Sequence, residues 1–264
     1  MTCELRHLRR GMTLVEILVV VALLALLAVF LVPDYLKEME EAKLVNAADQ
    51  LRSLIYLTRT HAMLDGKSYR IRFVDMESYE GDVELDALSS RQPLIEYKSD
   101  DPETFGEYLR LTEPWAKGVT LHRGIRCEGV RLGRPVFRDE LEEALENPLA
   151  EDEDEEFEAA DSLYPELVFE PDGTCDWATI VLTDAPEDFS YEDVSSDEEL
   201  DADFLEVIID GRTGQVWIQR LLTEDEEELL KEYGLPPVLR RDFTSPVLLT
   251  EDDVRQISEG RTRK

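Results

Sequence analysis

Sixteen consecutive residues without a charge, Ile17 to Val32, constrain this chain more than any other feature. With Met12 to Glu16 ahead of them they form a 21-residue segment. As a helix that segment is roughly 31 Å long, about the thickness of a bilayer's hydrocarbon core. One acid, Glu16, stands near its start. A carboxylate at membrane depth costs about 2.5–3.5 kcal/mol, so it calls for a partner and a function. Arg6, Arg9 and Arg10 precede the run, opposed only by Glu4, which keeps the N-terminus on the cytoplasmic side. A cleaved secretory signal fits poorly, because no Ala-x-Ala site follows and the run is long. An ordinary uncleaved anchor leaves Glu16 without a role.

The passage Arg9-Arg10-Gly11-Met12-Thr13-Leu14-Val15-Glu16, read with the apolar run, resembles the class III signal of type IV pilins and type II secretion pseudopilins. The resemblance implies a cleaved leader (1–11), cut by the prepilin peptidase between Gly11 and Met12. It also implies N-methylation of Met12, an assembly role for Glu16 and a helix kink at Pro33. The family usually has Phe where Met12 stands. The residues themselves agree with this reading. Cleavage after Gly11 frees an ammonium group among apolar side chains, and a neighbouring subunit's Glu16 neutralises it. Two buried charges are tolerated only as a pair, so the pair would set subunit register.

From 34 to 66 the apolar residues Leu44, Ala47, Ala48, Leu51, Leu54, Ile55 and Ala62, with Thr58, recur every three or four positions. This predicts an amphipathic helix that stops at Asp65-Gly66. Lys67 to Phe73 alternates as a half-buried strand. Leu57 to Gly66, with Arg59-Thr60-His61-Ala62 inside it, followed by that strand, resembles the GspH/FimT-like minor pilins and pseudopilins. Phe169-Glu170-Pro171-Asp172-Gly173 and the late Thr213-Gly214 hairpin resemble the end of the same domain. The likeness implies an α+β, pilin-like fold. A long N-terminal helix, with a membrane half at 12–33 and an amphipathic half at 34–66, packs on a mostly antiparallel β domain at 67–221 in two small sheets.

Strands are expected at Leu94–Tyr97, Tyr108–Leu111, Val119–Ile125, Trp177–Leu182, Leu205–Ile209 and Gln215–Leu221, and Leu167 to Thr174 reads as a strand entering a Pro-Asp-Gly turn. Turns such as Glu113-Pro114, Pro171-Asp172-Gly173 and Asp210 to Gly214 separate them. Two acidic insertions interrupt this plan. Asp139 to Asp161 holds thirteen acids in twenty-three residues, and 187–203 is a second such stretch. Like charges at that density repel and resist packing. No Asp-x-Asp-x-Asp-Gly spacing marks a calcium loop in them. The extension at 222–264 predicts two short helices, one opened by a capping box at Thr223–Glu226 and one after Thr250 that stops at Gly260.

The chain's net charge is −33, and the leader holds +2 of it, leaving −35 beyond Gly11. Such a surface repels nucleic acid. The basic end Arg261, Arg263 and Lys264 offers about three phosphate contacts, too few for tight binding at physiological salt. Some FimT-like pilins of DNA-uptake systems carry a comparable element near the C-terminus. Cys127 and Cys175 remain in the exported part, where the sequence leaves a disulfide and two buried thiols both open. No nucleophile elbow, metalloprotease motif, phosphate loop or Cys-x-x-Cys is present, and His7, His61 and His122 are scattered. No catalysis, cofactor or metal is expected.

The resemblance implies a minor pseudopilin of the type II secretion pseudopilus, single-pass in the inner membrane with its C-terminal domain in the periplasm. Its partners would be the prepilin peptidase, other minor and major pseudopilins, the inner-membrane assembly platform and membrane lipid. A FimT-like minor pilin of pilus assembly or DNA uptake shares the same signal. A membrane-tethered acidic module binding ions or cationic proteins is the alternative of another class.

Overall fold

The computed structural model describes residues 14–75, 91–117, 120–121, 124–140, 164–185, 204–239, 242–243 and 248–262. Within these, the side chains of 24, 25, 27–41, 75 and 261–262 are outside the description. The first helix, α1 (Leu14–Asp65), is shared between two compact units, one ending at Ala42 and one beginning at Lys43. The kink expected at Pro33 falls on side chains outside the described ones.

In the second unit the helical stripe is the one the periodicity predicts. Leu44, Ala47, Ala48, Leu51, Leu54, Ile55 and Ala62 are buried in the main core. Thr58 joins them because its hydroxyl donates to the Leu54 carbonyl at 2.8 Å, leaving no polar atom stranded. Gly66 ends the helix with φ +63°, a left-handed turn that residues with a Cβ enter at a cost.

Eight strands follow: β1 (Tyr69–Asp75), β2 (Arg91–Lys98), β3 (Tyr108–Arg110), β4 (Arg126–Leu132), β5 (Leu167–Phe169), β6 (Ala178–Thr183), β7 (Phe204–Ile209) and β8 (Val216–Arg220). They form two four-stranded sheets, ordered β3-β2-β1-β5 and β4-β6-β7-β8, with every neighbouring pair antiparallel. In the first sheet Ile71 faces Ile95, while Arg70, Arg72 and Glu96 alternate to the other face. There Glu96 is gripped by Arg70 and, at 2.9 Å, by Arg72. In the second sheet Ile180, Val207 and Ile218 stand side by side in the main core. β6 and β7 are buried along their whole length, which explains their unbroken apolar sequence.

The segment Val119–Ile125 is not the strand expected. Its described residues, Thr120, Leu121, Gly124 and Ile125, lie outside any strand, and β4 begins only at Arg126. Leu121 and Ile125 are nonetheless core residues. The Gln92 side chain takes the place of a neighbouring strand: its Nε2 donates to the Leu121 carbonyl (2.9 Å) and its Oε1 accepts from the Leu121 N–H (2.8 Å).

The C-terminal extension contains α2 (Glu224–Glu232) and α3 (Glu251–Thr262). The capping box at Thr223 forms as expected, and Gly234 turns the chain with φ +61°. By contrast α3 continues past Gly260 to Thr262, and Gly260 keeps a negative φ. A glycine in helical conformation costs roughly 1 kcal/mol but does not by itself end a helix. The extension builds its own small core from Leu222, Leu230, Leu235, Leu239, Leu249 and Val254 with Phe137. Phe243 pairs in parallel with Gln219 on the outer side of β8. Asp242 ties the same stretch to Arg52 of α1 at 2.7 Å.

Candidate functional site

The N-terminal part of α1 is the surface that sets this chain apart. Gly11 and Met12 lie outside the described residues. Glu16 lies in the first turn of the helix, where a carboxylate is favoured by the exposed N–H groups and the helix dipole. Around it Leu14, Val15, Ile17, Leu18, Val19, Val20, Val21, Leu23 and Leu26 are all exposed, Leu14 at 77% and Val20, the least, at 44%. A helix apolar on every side is a buried element that has not met its surroundings. Among the described residues, no helix is long and apolar enough to cross a membrane. The side chains of Leu24, Ala25 and residues 27–33 of the expected span are outside that description.

In the folded domain, three pieces of the second resemblance come together around Arg59. Its Nε donates to the Gly173 carbonyl at 2.8 Å, joining α1 to the Pro171-Asp172-Gly173 turn. A Cβ on Gly214 would stand 2.3 Å from that same Nε, and one on Gly173 would stand 2.7 Å from Met63 Sδ. Both glycines have positive φ, +62° and +84°. Bare backbone is therefore required twice, by conformation and by the closeness of α1. Two turns far apart in sequence thus lock onto one turn of the helix.

The cysteines are not joined. Cys127 and Cys175 are both free thiols. Cys127 on β4 pairs with Leu182 of β6, whereas the Cys175 N–H bonds to the Gly211 carbonyl, beyond the Ala178–Ile209 end of the same sheet. Four strand residues, about 13 Å, separate Leu182 from Ala178; a disulfide needs Cα atoms within about 7 Å. Burial pushes the Cys127 thiol far up and the Cys175 thiol up to about 11, so neither is a nucleophile at neutral pH.

His61 stacks on Trp115 with ring centroids 4.1 Å apart and faces Asp65 at 3.3 Å. Tyr69 donates to the same Asp65 at 2.7 Å, the main reason that carboxyl is held below its ordinary range. His7 and His122 lie outside the described residues. Trp217 is buried in β8, and Trp177 stands just before β6, packed against Gly211. Among the described residues no three His, Cys, Asp or Glu side chains gather as metal ligands.

Of the acidic stretch 139–161, Asp139 and Glu140 are described; Asp139 pairs with Lys231 at 2.5 Å. The remainder, and all of 187–203, lie outside the described residues, as do Arg263, Lys264 and the side chain of Arg261. Two surface features escaped the sequence reading: an exposed Phe105 and a cleft lined by Arg131, Arg134 and Arg138. Neither follows from a motif; the spacing of arginines between 126 and 138 was the available signal for the second.

Residues 6–32 match the model of the prokaryotic N-terminal methylation motif. No curated protein matches the chain. The fold is similar, at TM-scores of 0.35 and 0.37, to two structures of the minor pseudopilin EpsH from the type II secretion system of Vibrio cholerae. Identity is 13% and 16%; the matches cover 68% and 69% of this chain and 96% and 94% of the EpsH chains. The chain therefore carries a prokaryotic N-terminal methylation motif over residues 6–32, on a chain whose later part folds as helix and antiparallel sheet.

Proposed function

We propose that this chain is a minor pseudopilin, a structural subunit of the type II secretion pseudopilus. The prepilin peptidase removes residues 1–11 and methylates Met12. The 12–33 segment anchors the precursor in the inner membrane and passes into the filament core on assembly, and the domain beyond stands in the periplasm. Within the filament, Glu16 pairs with the N-terminal ammonium of a neighbouring subunit. The chemistry is positional, with no catalytic step.

The observation that carries this reading is the methylation motif at residues 6–32, with Glu16 placed in the first turn of a helix whose apolar side chains face outward on every side. A helix built that way is completed by lipid or by like helices. Intact mass spectrometry of the chain from membranes of a host with active prepilin peptidase tests it. The expected mass lacks residues 1–11 and gains one methyl group. Glu16→Ala should be processed and inserted normally yet fail to copurify with partner pseudopilins. A chain that keeps residues 1–11 in that host would refute the assignment.

A further inference from the structure

Two features of the folded domain remain unused by this reading, and their chemistry is complementary. The first is a knob. Between β2 and β3 the chain turns through Ser99–Glu107, and Phe105 stands there 78% exposed, more than any other large apolar side chain among the described residues. Single exposed apolar groups are ordinary on protein surfaces. This one is braced. The Ser99 and Thr104 hydroxyls meet at 2.7 Å, and the N–H groups of Thr104, Gly106 and Glu107 close back on the Asp101, Ser99 and Thr104 carbonyls at 3.0–3.1 Å. Gly106, at φ +82°, reverses the chain directly behind the ring. A side chain presented on a turn held this way has already lost freedom that docking would otherwise cost. Acids flank it along the turn: Asp100, which Lys67 answers at 3.0 Å, then Asp101, Glu103 and Glu107.

The second feature is an open cleft of about 90 Å³ on the face of the second sheet that bears Thr179, Glu206 and Gln219, roofed by Leu222 and Pro237 of the extension. Three arginines line it. Arg131 is held by Glu206 at 2.9 Å, and the other oxygen of that carboxylate accepts from Gln219 Nε2 at 3.0 Å. Arg138 donates to the Leu222 carbonyl at 3.0 Å, and its N–H donates to Glu227 at 3.2 Å. Arg134 is exposed, 6.0 Å from the Trp177 ring, and makes no ion pair among the described residues; Glu206 and Glu227 line the same cleft. Leu132 and Val136, 47% and 46% exposed, form an apolar lip beside it. In a chain of net charge −33, an apolar lip beside an exposed guanidinium suits an apolar group carrying negative charge.

We infer that the Phe105 turn of one copy of this chain docks in the Arg134 cleft of a second copy, the ring against Leu132 and Val136 and the Glu103 side of the turn toward Arg134. The cleft is smaller than the cavity of about 150 Å³ that encloses a benzene ring. The ring therefore lies across the lip, and charge complementarity selects the partner and its orientation. Knob and cleft are different surfaces, so the contact is heterologous and propagates head to tail instead of closing as a two-fold dimer. This inference stands on the folded domain and does not rest on the pseudopilin reading.

The test uses the full chain in detergent, carrying Pro102→Cys beside the knob and Val136→Cys on the lip, treated with a bifunctional thiol crosslinker. The doubly substituted chain should give a ladder of dimer, trimer and higher species. The two single variants mixed should give dimers only, and the parent chain, with its own cysteines, no ladder. Adding Phe105→Ala or Arg134→Glu should weaken the ladder about tenfold, and Glu103→Arg should restore it in the Arg134→Glu chain. Circular dichroism checks that each variant keeps its fold. A ladder indifferent to Arg134→Glu, dimers from one singly substituted variant alone, or no ladder from a folded double variant would each overturn the inference.

Discussion

Arg59 shows how much one side chain carries when the backbone around it is bare. Its guanidinium lies against Gly214 and donates to Gly173, so the helix and both turns are held through one residue. Gly214→Ala places a methyl group into that contact in a left-handed conformation, and the expected loss of stability is about 1–3 kcal/mol. Urea unfolding of the variant checks this; a midpoint equal to that of the parent would show that Arg59 moves aside freely. The sequence displayed Arg59, Gly173 and Gly214 as separate fragments of a resemblance, and nothing in their spacing said that they touch. Gln92 is harder still to read. A glutamine inside a strand looks like an outward polar position, yet here its amide is buried against the Leu121 backbone. Alternating apolar residues between 119 and 125 therefore suggested a strand, because burial was legible and the source of the backbone's partners was not.

At the scale of elements, regular patterns were readable where one face alone is covered. The α1 stripe from Leu44 to Ala62 and the alternation in β1 follow directly from periods of 3.6 and 2. Limits set by packing were not readable, as with α3 running through Gly260. The extension has one charged anchor. Glu226 at the start of α2 is buried, and that burial opposes its ionisation. Hydrogen bonds from Arg220 and from the backbone N–H groups of Leu249 and Thr223 outweigh the penalty and hold its carboxyl below the ordinary value of 4.5. A lowered folded pKa means stability that is present above the unfolded value and lost as pH falls through the folded one. The extension should accordingly loosen below about pH 4.5 while staying firm at neutral pH. Hydrogen exchange of α2 and α3 followed from pH 7 to pH 3 measures this, and Glu226→Gln should flatten the dependence. Protection that falls equally in the parent and in Glu226→Gln would assign the acid effect to other carboxylates.

For the whole molecule, charge is the dominant fact. A charge of −35 beyond residue 11 repels a polyanion, and the basic end at Arg261, Arg263 and Lys264 is small beside it. A mobility-shift measurement on the full chain in detergent should show no DNA binding at physiological salt, with any low-salt shift lost in Arg261→Ala/Arg263→Ala. Binding that survives physiological salt and depends on those two arginines would favour the DNA-uptake alternative. The architecture also has a temporal side. β8 is met on its outer side by Phe243, which is synthesised after it. Until that stretch leaves the ribosome, the second sheet stands with an unsealed edge, the kind of surface through which partly made chains stick to one another. An early stop codon beyond β8 would therefore yield a chain with all eight strands and an unguarded flank, a hazard to its neighbours rather than a shorter version of the same protein.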